Sequence, residues 1–271
     1  MATVERLEPE LVRVLAPNPS PMTLDGTNTY VIGATGTGEV VLVDPGPDDP
    51  THRRQVDDVV AAADAEVRAV ALTHHHRDHA EAAAGWAAQL GCPVLAPTGE
   101  LAVGAPVIAD GDRIPLADLE VEVIATPGHT RDHVAFRLGS GAVLTGDHVL
   151  GRGTSVVSHP DGDLEAYLDS LQRVFALGPA ALHPGHGPSL TEDPGAVLSY
   201  YAEHRHYREL QLKHALRDGP ADLDGLVARL YADVDRRVWP AAASSLSALL
   251  AVLVARGEVH RDAAGRCHLA V

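Results

Sequence analysis

Between Leu72 and His79 the chain reads Leu-Thr-His-His-His-Arg-Asp-His, a density of potential metal ligands that chance explains poorly. On an irregular loop alternate side chains point the same way, so His74 and His76 can grip one ion. Asp78 and His79, at the turn into a following helix, can reach a second. His129, Asp147 and His186 would complete the two shells, and a carboxylate such as Asp147 is the natural bridge between two cations. Imidazole and carboxylate ligation without cysteine suits zinc and also admits iron or manganese. Two divalent ions about 3.5 to 4 Å apart bring the pKa of a shared water toward about 7 and polarise a carbonyl or phosphoryl oxygen. Such a site needs no serine or cysteine nucleophile, and the chain contains no G-x-S-x-G sequence.

The elements around these residues follow one pattern. The apolar run 67–72 reads as a buried strand before the His-rich stretch, and an Ala-rich helical pattern follows it at 80–90. Alternation predicts strands at 11–16, at 29–33 and 40–44 as a hairpin around Gly36 and Gly38, near 113–116, at 119–125, and at 133–138 with 142–144 as another hairpin. Short strands are expected at 94–96 and 180–182. Helices are expected at about 51–63, 163–177 and 194–217. Four times a strand ends and ligand-type residues follow at once: His74 to His79, His129, Asp147 and His186. One edge of a sheet would gather them, as α/β folds commonly do. Beyond Asp218-Gly219-Pro220 the order is helix 222–232, helix 240–255, and two strands at 258–261 and 266–270, which is the order of a small winged-helix unit. The expected domains are therefore 1–218, catalytic, and 219–271, winged-helix-like.

Thr73-His-His-His-Arg-Asp-His79, Thr126-Pro-Gly-His129, Thr145-Gly-Asp147 and Pro184-Gly-His186-Gly together resemble the metal-ligand motifs of the metallo-β-lactamase superfamily, in their usual order. Gly26-Thr27-Asn28-Thr29-Tyr30, Gly151-Arg152-Gly153-Thr154 and His204-Arg205 followed by Arg208-Glu209 make the chain similar to the lactamase-beta-like subgroup with a C-terminal winged helix. The resemblance implies an α/β fold, an αββα sandwich with a dinuclear site at one edge of the paired sheets. It implies that His74, His76 and His129 hold the first metal, that Asp78, His79 and His186 hold the second, and that Asp147 bridges them. It also implies that Asp78 orients the attacking hydroxide. Histidine at position 76 argues against the oxygen-reducing relatives, and Asp147 against the cysteine-containing lactamase sites. Ser247-Ala248-Leu249 stands where relatives often carry a histidine.

The function expected is hydrolysis with two zinc ions, first of a phosphodiester as in an endoribonuclease. The alternatives are thioester cleavage, hydroxyacylglutathione-type hydrolysis, persulfide-dioxygenase-type chemistry and β-lactam hydrolysis. From another class comes a ligand-sensing regulator whose winged helix binds DNA. The expected partner is an anionic or acyl small molecule, with single-stranded RNA among the anionic candidates; the oligomeric state is left open. Charge weighs against the nucleic-acid versions. The chain of 271 residues carries a formal charge of −16, and residues 1–193 hold 11 Lys+Arg against 28 Asp+Glu. Residues 219–271 are balanced at 6 against 6, whereas phosphate contacts need cations. His204-Arg205-His206-Tyr207-Arg208 with Lys213, His214 and Arg217 forms a cationic helix that could face an anionic substrate or could be a solvated face. His75, His148 and His183, beside ligand positions, are expected to support ligands or face solvent, and His133 to be buried and hydrogen-bonded. Asp44, at a strand end, is a candidate support for the site. The segment 1–6 shows no basic run followed by an apolar core, so no secretory signal is expected. The apolar run 241–255 is read as a buried helix and no membrane span is expected. With two distant cysteines, Cys92 and Cys267, a cytoplasmic, reducing setting is expected.

Overall fold

The structure is a computed structural model that describes residues 3–34, 38–117 and 119–270. Gly36 of the expected hairpin turn and Met1-Ala2 of the N-terminal segment lie outside these residues. The chain divides into two compact units, the first made of residues up to Thr126, Asp132–Gly153 and Gly178–Pro194, the second of Pro127–Arg131, Thr154–Leu177 and Gly195 onward. The boundary expected at Gly219 divides the chain by order along it. By packing, residues 154–177 and 195–217 group with the C-terminal elements.

In the first unit, β1 (Val4–Glu8), β2 (Leu11–Leu15), β3 (Asn28–Ile32) and β4 (Glu39–Val43) are antiparallel neighbours. Helix α1 (Pro50–Ala62) then crosses to β5 (Glu66–Ala71), which lies parallel to β4. Asp49 starts α1 by accepting the Thr51 and His52 N–H groups, with proline in the first turn where its missing N–H costs nothing. Two helices, α2 (Arg77–Ala80) and α3 (Ala83–Leu90), stand where one was expected, and α3 stops at the left-handed Gly91. Strand β6 (Val94–Leu95) completes a six-stranded sheet in the order β1-β2-β3-β4-β5-β6.

A second sheet has the order β11-β10-β9-β8-β7, built from β7 (Arg113–Leu116), β8 (Leu119–Ala125), β9 (Val134–Leu138), β10 (Val143–Gly146) and β11 (Leu182–Pro184). The first sheet is apolar on both faces. Leu11, Tyr30, Ile32, Val41, Val43, Ala69 and Ala71 pack with Val123, Phe136 and Leu144 of the second sheet. Their alternates Val12, Val31, Leu42 and Val70 pack with Val56 of α1 and Trp86 of α3. That is what period-two side chains do in a sheet covered on both sides. Strand β1 had no counterpart in the sequence reading. Its residues are largely exposed, so the alternation that marks a half-buried strand is absent, and it is held by the pairing Val4↔Val14 to Glu8↔Leu11.

The register places the ligand edge. Val43 pairs with Ala71 and Gly146 with Pro184, so the parallel strands β4 and β5, and likewise β10 and β11, end side by side. Asn28 and Tyr30 stitch the sheets there: the Asn28 side-chain amide donates to the Pro184 and Gly187 carbonyls at 2.8 Å, and the Tyr30 hydroxyl to Pro184 at 2.7 Å.

In the second unit α4 (Leu164–Ala176) starts at the Asp163 cap and carries the segment 127–131 against it: the Ser170 hydroxyl donates to the Pro127 carbonyl, and the Asp163 N–H to Gly128. Helix α5 (Pro194–Arg217) is followed by α6 (Leu223–Leu230), a 3-10 turn at Arg236–Val238, α7 (Trp239–Ala255) and the hairpin of β12 (Val259–Arg261) and β13 (Cys267–Leu269). With its preceding turn, α7 is 20 residues long and holds an 18-residue stretch of mean hydropathy 1.9, long and apolar enough to cross a membrane by composition. Ala242, Leu246, Leu249, Leu250 and Leu253 of that helix are buried within the folded chain.

Candidate metal centre

Asp44 is the first residue past β4 and sits at φ +51° with its side chain buried. A left-handed backbone is tolerated by aspartate better than by most residues. It turns the carboxylate toward the parallel neighbour β5, where Oδ1 accepts the Thr73 N–H at 2.8 Å and Oδ2 the Thr73 hydroxyl at 2.7 Å. The same Oδ2 lies 2.8 Å from His79 Nδ1. A carboxylate only accepts, so His79 Nδ1 carries the proton and Nε2 the lone pair. The Thr73 hydroxyl has given its hydrogen to Asp44 and therefore accepts from His74 Nδ1 at 3.0 Å. His74 is set in the same tautomer. One buried carboxylate thus orients two imidazoles, as metal-binding histidines require.

His186 is set from the other side of the edge. Its Nδ1 donates to the Gly26 carbonyl at 3.1 Å, which again leaves the lone pair on Nε2. The two lone-pair nitrogens, His79 Nε2 and His186 Nε2, face each other at 3.2 Å. Asp147 Oδ1 is 3.4 Å from each of them, and Asp78 Oδ2 is 3.1 Å from His186 Nε2 and 3.9 Å from His79 Nε2. Lone pairs and carboxylates converging at this range repel unless a cation lies among them. For bonds of about 2.0 to 2.1 Å, the ligand atoms around a tetrahedral zinc ion are separated by about 3.4 Å. The observed spacings fit that figure. A second set is formed by His74, His76 and Asp147, whose ligand atoms lie within 4.8 Å of one another, so Asp147 is common to both sets.

Electrostatics say the same. Burial works against charge on His79, yet the Asp147 and Asp44 carboxylates outweigh it and hold its pKa well above the usual imidazole value. Burial likewise pushes the Asp78 carboxyl up, and the neighbouring His186 and His79 rings bring it below the usual range. The pocket favours positive charge. Glycine makes room for it: a Cβ on Gly185 would lie 2.6 Å from His79 Cε1 and 2.8 Å from Asp147 Oδ1. On Gly146 it would lie 2.7 Å from His133 Nε2.

Of the seven residues expected from sequence as ligands, His74, His76, Asp78, His79, Asp147 and His186 meet at this edge of the first unit. His129 belongs to the segment Pro127–Arg131 of the second unit, where Nδ1 donates to the Val156 carbonyl at 2.6 Å and Nε2 keeps the lone pair. His133 is buried and accepts the Asp147 N–H on Nε2 at 3.1 Å while Nδ1 donates to the Thr126 hydroxyl at 2.8 Å. It therefore fixes the backbone of a ligand. His75 is exposed and lies 2.9 Å from Asp132. His183 is buried between Ser189 and Glu8, and His148 is buried. Thr73, Gly185 and Gly26 stood in the quoted motifs, but the sequence reading gave them no role. Each touches ligands through groups that any threonine or glycine carries; adjacency in the chain to His74 and His186 hinted at Thr73 and Gly185, and nothing local pointed to the Gly26 carbonyl.

The profile of the metallo-beta-lactamase superfamily matches residues 22–186, and that of the beta-lactamase associated winged helix domain matches residues 223–266. A beta-lactamase-like protein 2 homolog from Drosophila melanogaster is 31% identical, over 94% of this chain and 91% of its own. An atrochrysone carboxyl ACP thioesterase from Aspergillus chevalieri is 35% identical, over 79% of this chain and 68% of its own. Among solved structures, a metallo-beta-lactamase family protein from Thermus thermophilus superposes with a TM-score of 0.80 at 25% identity, covering 98% of this chain and 100% of that one. The edge of converging imidazoles and carboxylates lies within the matched span, and the chain belongs to the metallo-beta-lactamase superfamily as a metallo-β-lactamase-fold hydrolase with a C-terminal winged helix.

Proposed function

We propose that the chain is a dinuclear zinc hydrolase that cleaves an acyl thioester. The observation that carries the metal reading is the convergence of His79 Nε2, His186 Nε2, Asp78 Oδ2 and Asp147 Oδ1 with both imidazole lone pairs pointing inward. His74 and His76 would hold one ion, Asp78, His79 and His186 the other, and Asp147 both. When bound, the pair supplies Lewis acidity toward the scissile carbonyl and makes a water acidic enough to be a nucleophile near neutral pH. Asp78, a partly exposed carboxylate held below the usual carboxylate range, accepts the hydrogen bond of the attacking water and takes its proton. The water oxygen bonds to the carbonyl carbon, the C–S bond breaks, and the proton passes to the departing thiolate, giving a carboxylic acid and a thiol.

Support for the thioester comes from the thioesterase named among the relatives and from the state of the cationic helix. Arg205 stacks on Tyr167 and donates to the Ser155 carbonyl; Arg208 stacks on Tyr231 and donates to the Leu230 carbonyl. Lys213 is bound by Glu209 and Glu258. Little cationic capacity is left for a phosphate backbone. The phosphodiester reading stands second, favoured by the exposed His206, His214 and Arg217 of α5. The two free cysteines suit a reducing, cytoplasmic setting. A side-by-side assay of the zinc-loaded protein on an acyl thioester, single-stranded RNA and a chromogenic β-lactam tests the choice. Thioester turnover without RNA cleavage is expected, and RNA cleavage alone would reverse the order of the two readings.

A further inference from the structure

His186 is gripped at two points, and the residues that grip it are neighbours of an ion pair. Its ring donates from Nδ1 to the Gly26 carbonyl at 3.1 Å, and its own carbonyl accepts the Gly151 N–H at 2.8 Å. Asp25 precedes Gly26 and Arg152 follows Gly151. The Arg152 guanidinium donates to both oxygens of Asp25, Nη1 to Oδ2 and Nη2 to Oδ1, each at 2.8 Å. The links therefore close a ring: Asp25, Gly26, His186, Gly151, Arg152 and back to Asp25.

Both glycines are packed into this ring with no slack. A Cβ on Gly26 would lie 2.1 Å from the Ala16 carbonyl oxygen, and one on Gly151 would lie 2.3 Å from that of Pro188. The backbone at each grip can thus shift only with its neighbours, and the one link made by two side chains is the Asp25–Arg152 pair. An exposed ion pair usually contributes little to overall stability. A two-pronged guanidinium–carboxylate contact does, however, fix relative orientation. Here it fixes the two loops that aim His186 Nε2.

We propose that Asp25 and Arg152 are positioning residues that tune metal binding at the half of the site formed by Asp78, His79 and His186, leaving the His74/His76/Asp147 half untouched. The proposal rests on the dinuclear reading. Groups that orient metal ligands at one remove are worth about 10- to 100-fold in affinity, and an indirect grip through two loops places the effect near the lower end.

The test is a cobalt(II) titration of the metal-stripped full-length protein, followed by visible absorption and calorimetry, for wild type, Asp25→Asn, Arg152→Gln and the exchanged pair Asp25→Arg with Arg152→Asp. The wild type should take up two ions. Each single variant should bind one of the two about tenfold more weakly, with an altered spectrum for that ion only and an unfolding midpoint within a few degrees of wild type. The exchanged pair should regain most of the lost affinity. Two ions bound by the single variants with wild-type affinities would overturn the proposal, as would equal weakening of both ions together with a lowered unfolding midpoint. A wild type that binds only one ion would overturn the dinuclear reading itself, and the proposal with it.

Discussion

Two segments of this chain are similarly rich in histidine and charge, 74–79 and 204–214, and the fold treats them in opposite ways. In the first, every oriented imidazole has one nitrogen tied to a dedicated acceptor and the other turned toward a common point, where His79 and His186 meet at 3.2 Å. In the second, Arg205, Arg208 and Lys213 diverge around the helix axis and each is absorbed by its own neighbour: Arg205 by Tyr167 and Ser155, Arg208 by Tyr231, Lys213 by two glutamates. His204 adds no charge, because burial, then Arg205 and Arg208, push its pKa down to about 4. Residue density was the same signal in both places. Convergence separates them, and convergence is produced by a strand end opening onto a loop, where successive side chains can be folded back on one point. A straight helix spreads them at about 100° per residue.

The comparison can be broken most severely at Asp78. Asp78→Ala removes a carboxylate that serves as both ligand and proton acceptor, and turnover should fall by about 10³-fold or more while the thermal midpoint moves little; retained activity would defeat the mechanism. Next is Gly185→Ala. The added methyl at 2.6 Å from His79 Cε1 displaces the ring, and misplacement on that scale costs on the order of 100-fold in rate. Metal analysis should show less than two ions per chain. Asp44→Asn keeps the shape but replaces an oxygen that receives the Thr73 and His79 donors. Zinc affinity, read by competition with a chelator, should weaken by about 10- to 100-fold.

A fourth test concerns stability and pH. His52 is buried and donates from Nε2 to the Thr29 hydroxyl, which in turn donates to the Asp44 carbonyl. Burial pushes its pKa down to about 4, against about 6.5 in the unfolded chain. The unfolded state therefore binds more protons than the folded state between these values. Stability from the neutral imidazole is complete above about pH 6.5 and is lost as pH falls to about 4, by up to about 3 kcal/mol. His52→Gln should flatten that part of the curve in denaturant melts at stepped pH, and an unchanged slope would reject the assignment. The smallest effect is expected on the cationic helix. Lys213→Met should cost less than about 1 kcal/mol and leave the salt dependence of turnover as it was. A marked loss of substrate affinity in that variant would restore the helix as a binding face and blur the contrast with the His-rich loop.

Much was legible from the order of residues. Apolar alternation and glycine and proline punctuation placed most strands and helices to within a residue or two, because both signals are local. The ligand types followed from their own chemistry: Asp147 and His186 come just past strand ends, His74, His76, Asp78 and His79 lie on the turn and short helix that follow β5, and a parallel neighbour brings strand ends together. What tertiary structure alone decided was direction. That Asp44 turns inward at a positive φ to meet Thr73, and that Gly26 and Gly151 hold His186, depend on contacts between residues 29 to 160 positions apart in the chain. So does the quieting of the α5 cations by aromatic rings and carbonyls depend on packing rather than on order. Residue type and spacing tell which atoms can bind a metal, because that is a property of the side chain. Only the packed fold tells which lone pair faces which, because a tautomer is set by the neighbour on the far side of the ring.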